Sequence, residues 1–298
     1  MKPHSSRPWW LFGLGWLALL AGRCPAGEAP RGDLWAGENL VAWCIVPYDA
    51  KKRDSAARAA MLGQGGLRRL AYDWRAEQVA SFDEEGVVMK PHRVELFAWW
   101  FPTKLDGNAR KIPDMIGRHQ IHPQRWVTGG GEPTKSDAEQ TARVVSEVKR
   151  IRLMADEAAR LGCHVGLYNH GGWLGEPENQ MEGVAGLRAE GVKEVGLVYN
   201  FHHGHDHVSR FAWMWPRVQA AELAVNLNGM AAVPGRGEGK ILPLSERVNE
   251  LAMMRIIGAR GWRGPVGILN HRAEVDAEVG LRRNLAGLEK LAGGILTK

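Results

Sequence analysis

The stretch Val195–His207 reads V-G-L-V-Y-N-F-H-H-G-H-D-H. Its first six residues are almost wholly apolar, as in a strand buried on both faces. The chain then runs straight into four histidines and an aspartate. A buried parallel strand whose C-terminal end opens into titratable side chains is the repeating unit of many α/β enzymes. The fold turns on whether the rest of the chain repeats that unit.

It does, in both directions. Strand-like runs occur at NLVAWCIV (Asn39–Val46), RRLAYDW (Arg68–Trp74), RVELFAWWFP (Arg93–Pro102), QRWVTGG (Gln124–Gly130) and HVGLYNHG (His164–Gly171) before it. LAVNLNGM (Leu223–Met230) and PVGILNHR (Pro265–Arg272) follow it. Helical patterns separate them. The clearest begins at a capping box, Ser136 with Glu139, carries Val144, Val148, Ile151, Ala155 and Ala158 along one face, and stops at Gly162. Another enters through Pro177, Ser245 is expected to cap a later one, and a last helix runs from Asp276 through Leu291. Eight βα units with near-continuous apolar strands predict a parallel sheet closed into a single (β/α)8 barrel over residues 39–295, with 296–298 as a tail. The alternative is an open doubly wound sheet. It would want a glycine-rich phosphate fingerprint after the first strand, and none is present.

The N-terminus has a different character. Lys2 and Arg7 precede the apolar run Trp9–Ala21, and Cys24-Pro25-Ala26 supplies small residues beyond it. This is the pattern of a secretory signal peptide over residues 1–26, and the run is shorter than the roughly 20 residues of a membrane span. The expectation is an exported protein, periplasmic or secreted, with no stable membrane anchor once the signal is removed. Taking away residues 1–26 removes Lys2, Arg7 and Arg23 and no acid, leaving 36 basic against 33 acidic residues. A net charge of +3 without a basic block argues against a nucleic-acid partner. Cys44 and Cys163 then remain, both in apolar strand-like surroundings, and are expected as buried free thiols.

Barrel enzymes place their chemistry at the C-terminal ends of the strands. Those ends carry Asp73 and Arg75, then Trp99 and Trp100, then Tyr168, Asn169, His170 and Trp173. The sixth strand supplies Asn200, His202 and His203, and the last two supply Asn226, Asn228, Asn270 and Arg272. Indole faces stack on the C–H faces of sugar rings, while Asn, His and Arg bond directionally to hydroxyls. A small sugar or sugar derivative is therefore the expected partner. Trp43 reads as ordinary packing. Strand alternation predicts that one of His202 and His203 faces the mouth, and that Asn200 and His203 point differently. The later His205-Asp206-His207 reads as a solvated helix entrance with Asp206 as N-cap.

The segments LYNHGG, YNFHHG, NLNG and GPVGILNHR resemble strand ends of the xylose isomerase-like TIM-barrel superfamily of sugar isomerases and epimerases. The likeness spans Asn39 to Ile295. The resemblance implies a divalent-metal site built from two glutamates, an aspartate and two histidines. Carried over, the first glutamate falls on Tyr168, the aspartate on Asn200 and its histidine partner on His203. The seventh-strand histidine falls on Asn226, and the final glutamate on Leu269 or Asn270. Only His203 keeps the family's residue. Hard divalent cations depend on anionic oxygen ligands, which are missing here.

Two function classes follow. In the first, the protein is an exported sugar isomerase or epimerase, or a lyase, that transfers protons through His203 or His170, with Asp73 or Glu176 as acid partner. Arg75 or Arg272 would polarise a carbonyl or hold an acidic group, and the remaining strand-end residues would bind substrate. In the second, the barrel binds carbohydrate without transforming it. A cofactor is undetermined: a metal site rebuilt from His170, His203, Glu132 and Asp73 is a further possibility of the same mouth.

Overall fold

The computed structural model describes residues 34–231, 240–247 and 249–296; the signal-peptide segment lies outside them. Eight parallel strands form a closed barrel in chain order. They are β1 (Leu40–Trp43), β2 (Arg69–Tyr72), β3 (Glu95–Phe101), β4 (Gln124–Val127), β5 (Val165–Tyr168), β6 (Val195–Asn200), β7 (Glu222–Leu227) and β8 (Val266–Leu269). Eight helices cover the ring: α1 (Ser55–Gln64), α2 (Phe82–Val88), α3 (Gly107–His119), α4 (Asp137–Arg160), α5 (Pro177–Ala189), α6 (Phe211–Val218), α7 (Asn249–Ala259) and α8 (Ala277–Leu296). The predicted tail is therefore partly helical. β8 pairs back onto β1, from Leu40 opposite Val266 to Trp43 opposite Leu269, which removes the open-sheet alternative. No helix among the described residues is long and apolar enough to cross a membrane.

Closure divides each strand between two cores. Side chains alternate across the sheet, so one set fills the lumen and the other meets the helices. The lumen set includes Val41, Trp43, Ala71, Ala98, Trp126, Tyr168, Val198, Ala224 and Leu269. The outer set joins Leu70, Tyr72, Trp99, Phe101, Val127, Leu167, Val225 and Ile268 to the helices. Three large rings fit inside the lumen because alanines occupy neighbouring inward positions. Trp43 packs edge-on to Trp126 at 4.8 Å, and Trp126 stacks on Tyr168 at 5.7 Å.

The helix starts follow local chemistry. Ser136 Oγ accepts the Glu139 amide at 3.2 Å, and the Glu139 carboxylate accepts the amide of Lys135 at 2.9 Å. Gly162 takes the left-handed conformation after α4, at φ +66°. Ser245 does not act as the expected cap. It sits in a left-handed turn at φ +68°, four residues before α7 begins. Cys44 and Cys163 are buried free thiols, as expected.

Gly267 shows how tightly the ring closes. A Cβ there would lie 1.8 Å from Asn226 Oδ1, so the bare backbone of β8 makes room for that buried amide. Gly267→Ala should therefore destabilise the protein by about 1–3 kcal/mol through overpacking. In a urea-unfolding comparison the Gly267→Ala/Asn226→Ala double variant should recover most of that loss; simple additivity would place the clash elsewhere.

Candidate functional site

The C-terminal strand ends surround a hollow of about 370 Å³, the open space at its mouth included. It is lined by Trp43, Cys44, Asp73, Arg75, Trp100, Tyr168, His170, Asn200, His202, His203, Leu269 and His271. Its floor is the top of the lumen core. Trp43 Nε1 donates to the Tyr168 hydroxyl at 3.1 Å, and the Asn200 amide donates to the same oxygen. Trp100 stands edge-on to Tyr168 at 5.0 Å and forms a wall that continues to His170.

The turn after β6 brings in the histidines. Asn200 Oδ1 accepts the His202 amide at 2.9 Å, and Phe201–His203 winds into a single 3₁₀ turn. Strict alternation belongs to extended chain, so the turn lets Asn200, His202 and His203 all face the hollow. This corrects the expectation that Asn200 and His203 diverge. The His203 ring lies 4.2 Å from that of His202 and 4.4 Å from that of His170; His202 lies 5.2 Å from His271. His271 arrives from beyond β8, where the amides of Asn270 and His271 extend the pairing to the carbonyls of Trp43 and Cys44. Its own φ is +46°, and its ring packs on Tyr48 at 3.9 Å.

Burial holds these imidazoles neutral, because the charged form loses its hydration. It depresses His202 to about 3, with Lys240 and the other rings adding to the effect. His203 falls to about 2, through burial and then His202 and His170. His271 falls to about 4, through burial and then Arg75. His170, exposed at the rim, is lowered for the same first reason.

Asp73 moves the other way. Its carboxyl is 1% exposed, and burial raises it to about 7 against the opposing pull of Arg75 and the Val46 amide. Oδ1 accepts that amide at 3.2 Å, and Oδ2 has no protein partner among the described residues. Arg75 is anchored beside it. Nη1 donates to the carbonyls of Asp73 and Trp74, both at 2.8 Å, and Nη2 donates to the Tyr48 hydroxyl at 3.1 Å.

Eight of the residues singled out in the sequence thus meet at the hollow: Asp73, Arg75, Trp100, Tyr168, His170, Asn200, His202 and His203. The others lie elsewhere, each for a local reason. Trp99 faces outward and packs on Tyr72 and Phe82, because alternation sends it away from Trp100. Asn169 bridges β5 and β6, donating to the Asn200 carbonyl at 3.1 Å and accepting its amide at 2.7 Å. Trp173 is buried and donates to Gln140 at 2.8 Å, lining a separate cleft near the start of α5 with Glu176. Glu176 pairs there with Arg210 and, at 3.4 Å, with His207.

Asn226 is fully buried below the hollow, and neither atom of its amide has a partner among the described residues. Asn228 donates to the carbonyls of Gly229 and Lys240. Asn270 turns outward to the Tyr48 carbonyl, and Arg272 pairs with Glu274 at 2.9 Å; both border another crevice beside α8.

The helix entrance after Gly204 also differs from expectation. Asp206 lies in the first turn of a 3₁₀ segment, His205–Arg210, and caps no helix with its side chain. His205 and His207 are buried, not solvated, and His207 Nδ1 shares a 3.0 Å hydrogen bond with Tyr199.

The lining is completed by Trp43, read above as packing, Cys44, read as a buried thiol, Leu269, one of the two positions for the final glutamate, and His271, a further residue of the eighth strand end. Trp43 is core packing and cavity floor at once. The signal for Leu269 and His271 was in the sequence: with Asn270 outward, its two neighbours must face in.

The implied metal site can be tested on its donors. Besides His203, the corresponding positions hold a phenol and an amide already bonded to each other (Tyr168 and Asn200), a buried amide (Asn226) and, at the last, an alkyl side chain (Leu269) or an outward-turned amide (Asn270). Among the described residues no three His, Cys, Asp or Glu side chains group so as to hold an ion. Glu132 is exposed and does not line the hollow. The residues do not fit the family's divalent cation, whose ligands are anionic oxygens.

No known family profile matches the chain, and no curated protein sequence matches it. Solved structures do. The IolI protein with a bound zinc atom superposes with a TM-score of 0.66 at 11% identity, over 87% of this chain and 99% of that one. The 3-keto-D-glucoside 4-epimerase YcjR from E. coli gives 0.64 at 12% identity, over 85% and 99%. A xylose isomerase domain protein from Alicyclobacillus acidocaldarius gives 0.59 at 18% identity, over 87% and 100%. The fold is that of the xylose isomerase-like TIM barrels.

The depressed imidazoles carry a stability signature. Below an ordinary histidine pKa of 6.5 the unfolded chain binds protons that folded His202 and His203 refuse, so their contribution to stability falls as pH drops from about 6.5 towards 4. A His202→Asn/His203→Asn variant lacks this penalty. Its stability relative to the parent should rise by at least about 2 kcal/mol over that interval, after discounting for partial exposure. Unfolding curves at several pH values, showing parallel profiles for the two proteins, would contradict the assignment.

Proposed function

We propose that this barrel is a sugar isomerase or epimerase acting on a small sugar derivative by proton transfer at its C-terminal mouth. One observation carries the reading. A buried carboxyl that titrates near neutrality shares one hollow with an arginine, neutral imidazoles and an indole wall. The fold's likeness to a 3-keto-D-glucoside 4-epimerase supports the reaction class.

The division of labour follows from the electrostatics. A base works best when its pKa lies near the operating pH. Asp73 meets that condition, whereas His203 and His202 are too weakly basic before substrate enters. Asp73 as carboxylate therefore takes the proton from the carbon beside the substrate carbonyl. Neutral His203, with His170 at the rim, hydrogen-bonds the oxygen on which negative charge develops. Asp73, now protonated, returns the proton to the former carbonyl carbon, while the hydroxyl proton of the carbon it deprotonated passes to the former carbonyl oxygen through His203, whose neutral ring accepts one proton and gives up another, giving the isomer; for the epimer, solvent delivers a proton to the original carbon from the opposite face and Asp73 releases its own to solvent. The step needs no redox partner. Trp100 supplies an apolar face for the ring, and Tyr168 and Asn200 hold hydroxyls.

The apolar run Trp9–Ala21 supports export of the enzyme, which detection of the mature chain lacking residues 1–26 outside the cytoplasm would test.

Exchange of substrate hydrogen with solvent deuterium across aldoses, ketoses and their derivatives tests the chemistry. Asp73→Asn and His203→Ala should each lower exchange at least about 100-fold. Glu176→Gln and Trp173→Phe, altered in the separate cleft, should leave it within about twofold of the parent, as expected for residues away from the reacting centre. Equal losses in both pairs, or no exchange with any substrate, would defeat the proposal.

A further inference from the structure

The charges around the hollow are lopsided. Among the described residues, its lining holds a guanidinium, four imidazoles and a single carboxyl, Asp73. Lys240 lies close enough to depress His170, His202 and His203 further. The nearest other carboxylates considered for the site are turned away: Glu176 pairs with Arg210, and Glu132 is exposed outside the hollow. With the rings neutral, two cations face at most one negative charge, which is itself buried and costly to ionise.

Arg75 gives this imbalance a direction. Its three hydrogen bonds to Asp73, Trp74 and Tyr48 fix the guanidinium through Nη1 and one N–H of Nη2. Nε–H and the second N–H of Nη2 have no acceptor among the described residues. A planar guanidinium with two N–H groups left over matches the two oxygens of one carboxylate. A neutral hydroxyl would leave Asp73 as the one carboxyl of the lining to balance both this half-buried cation and Lys240.

We infer that the substrate carries a carboxylate, held by Arg75, so that the site takes a sugar acid of the uronate kind and not a neutral sugar. The inference rests on the proposed proton-transfer reading and deepens it. A carboxylate is favoured over a phosphate because one fixed arginine and one nearby lysine balance a monoanion. The anchored carboxylate would also orient the sugar's carbonyl end relative to Asp73 and His203, the positioning role that remote binding groups play in catalysis.

The test is calorimetric titration of the full chain with matched pairs, D-glucuronate against D-glucose and D-galacturonate against D-galactose, alongside glucose 6-phosphate. The uronates should bind at least about tenfold more tightly than their aldoses, as a charge-assisted bidentate pair implies. Added salt should narrow the gap, Arg75→Lys should lose most of it and Arg75→Gln all of it. Equal affinity for uronate and aldose, tighter binding of the 6-phosphate, or no uronate binding at millimolar concentration would overturn the inference; the parent protein alone decides these even if the variants do not fold. Deuterium exchange on the same ligands separates the two readings. Uronates that bind but exchange no hydrogen would remove the proposed reaction and leave the carboxylate site standing. Aldoses that exchange without any uronate preference would do the reverse.

Discussion

Closure of the ring between β1 and β8 is the constraint on which everything else depends. Once the strands form a cylinder, each side chain must choose between the lumen and the helix layer, and neighbours along a strand choose oppositely. The lumen then has to be filled, and Trp43, Trp126 and Tyr168 fill it while Ala71, Ala98 and Ala224 make room. The same packing sets the depth of the hollow, because the rings that end the core are also its floor. Fold stability and site shape are therefore one problem here: a change to the lumen rings alters both.

The electrostatic character of the mouth follows from that depth. Rings set side by side on an aromatic floor lose hydration and lower one another's basicity, so His202, His203 and His271 stay neutral. Under the same burial Asp73 holds its proton up to about pH 7. Environment thus pushes two kinds of titratable group in opposite directions around one hollow, the arrangement that separates acid–base roles in many enzymes. The site departs from a carboxylate-ligated metal centre in its donors, while keeping the fold that such centres occupy.

The barrel was legible because its signal is distributed over many residues: eight apolar runs alternating with amphipathic ones leave few topologies open. The site was legible where the chain stays extended. Asp73, Trp100 and Tyr168 follow from strand ends and alternation alone. It became illegible where a turn breaks the period. The single 3₁₀ turn at Phe201–His203 aims both histidines and Asn200 inward, which alternation forbids. Trp173, Glu176 and Arg272 lie beyond their strands, where sequence distance from a strand end no longer reports direction, and each found a partner outside the mouth. Trp99 was within reach of the rule, since its neighbour Trp100 already claimed the inward face.

The chemistry of the mouth rests on a buried set of uncharged imidazoles beside one near-neutral carboxyl. Titration of the histidine ring nitrogens by NMR addresses it most directly, with His202→Asn, His203→Asn and His271→Asn used to assign signals. The three rings should stay neutral from about pH 8 down to about pH 5, well below the ordinary histidine value of about 6.5. Protonation of His202 and His203 near that ordinary value would mean that the rings are not gathered in a buried hollow, and the account would fail.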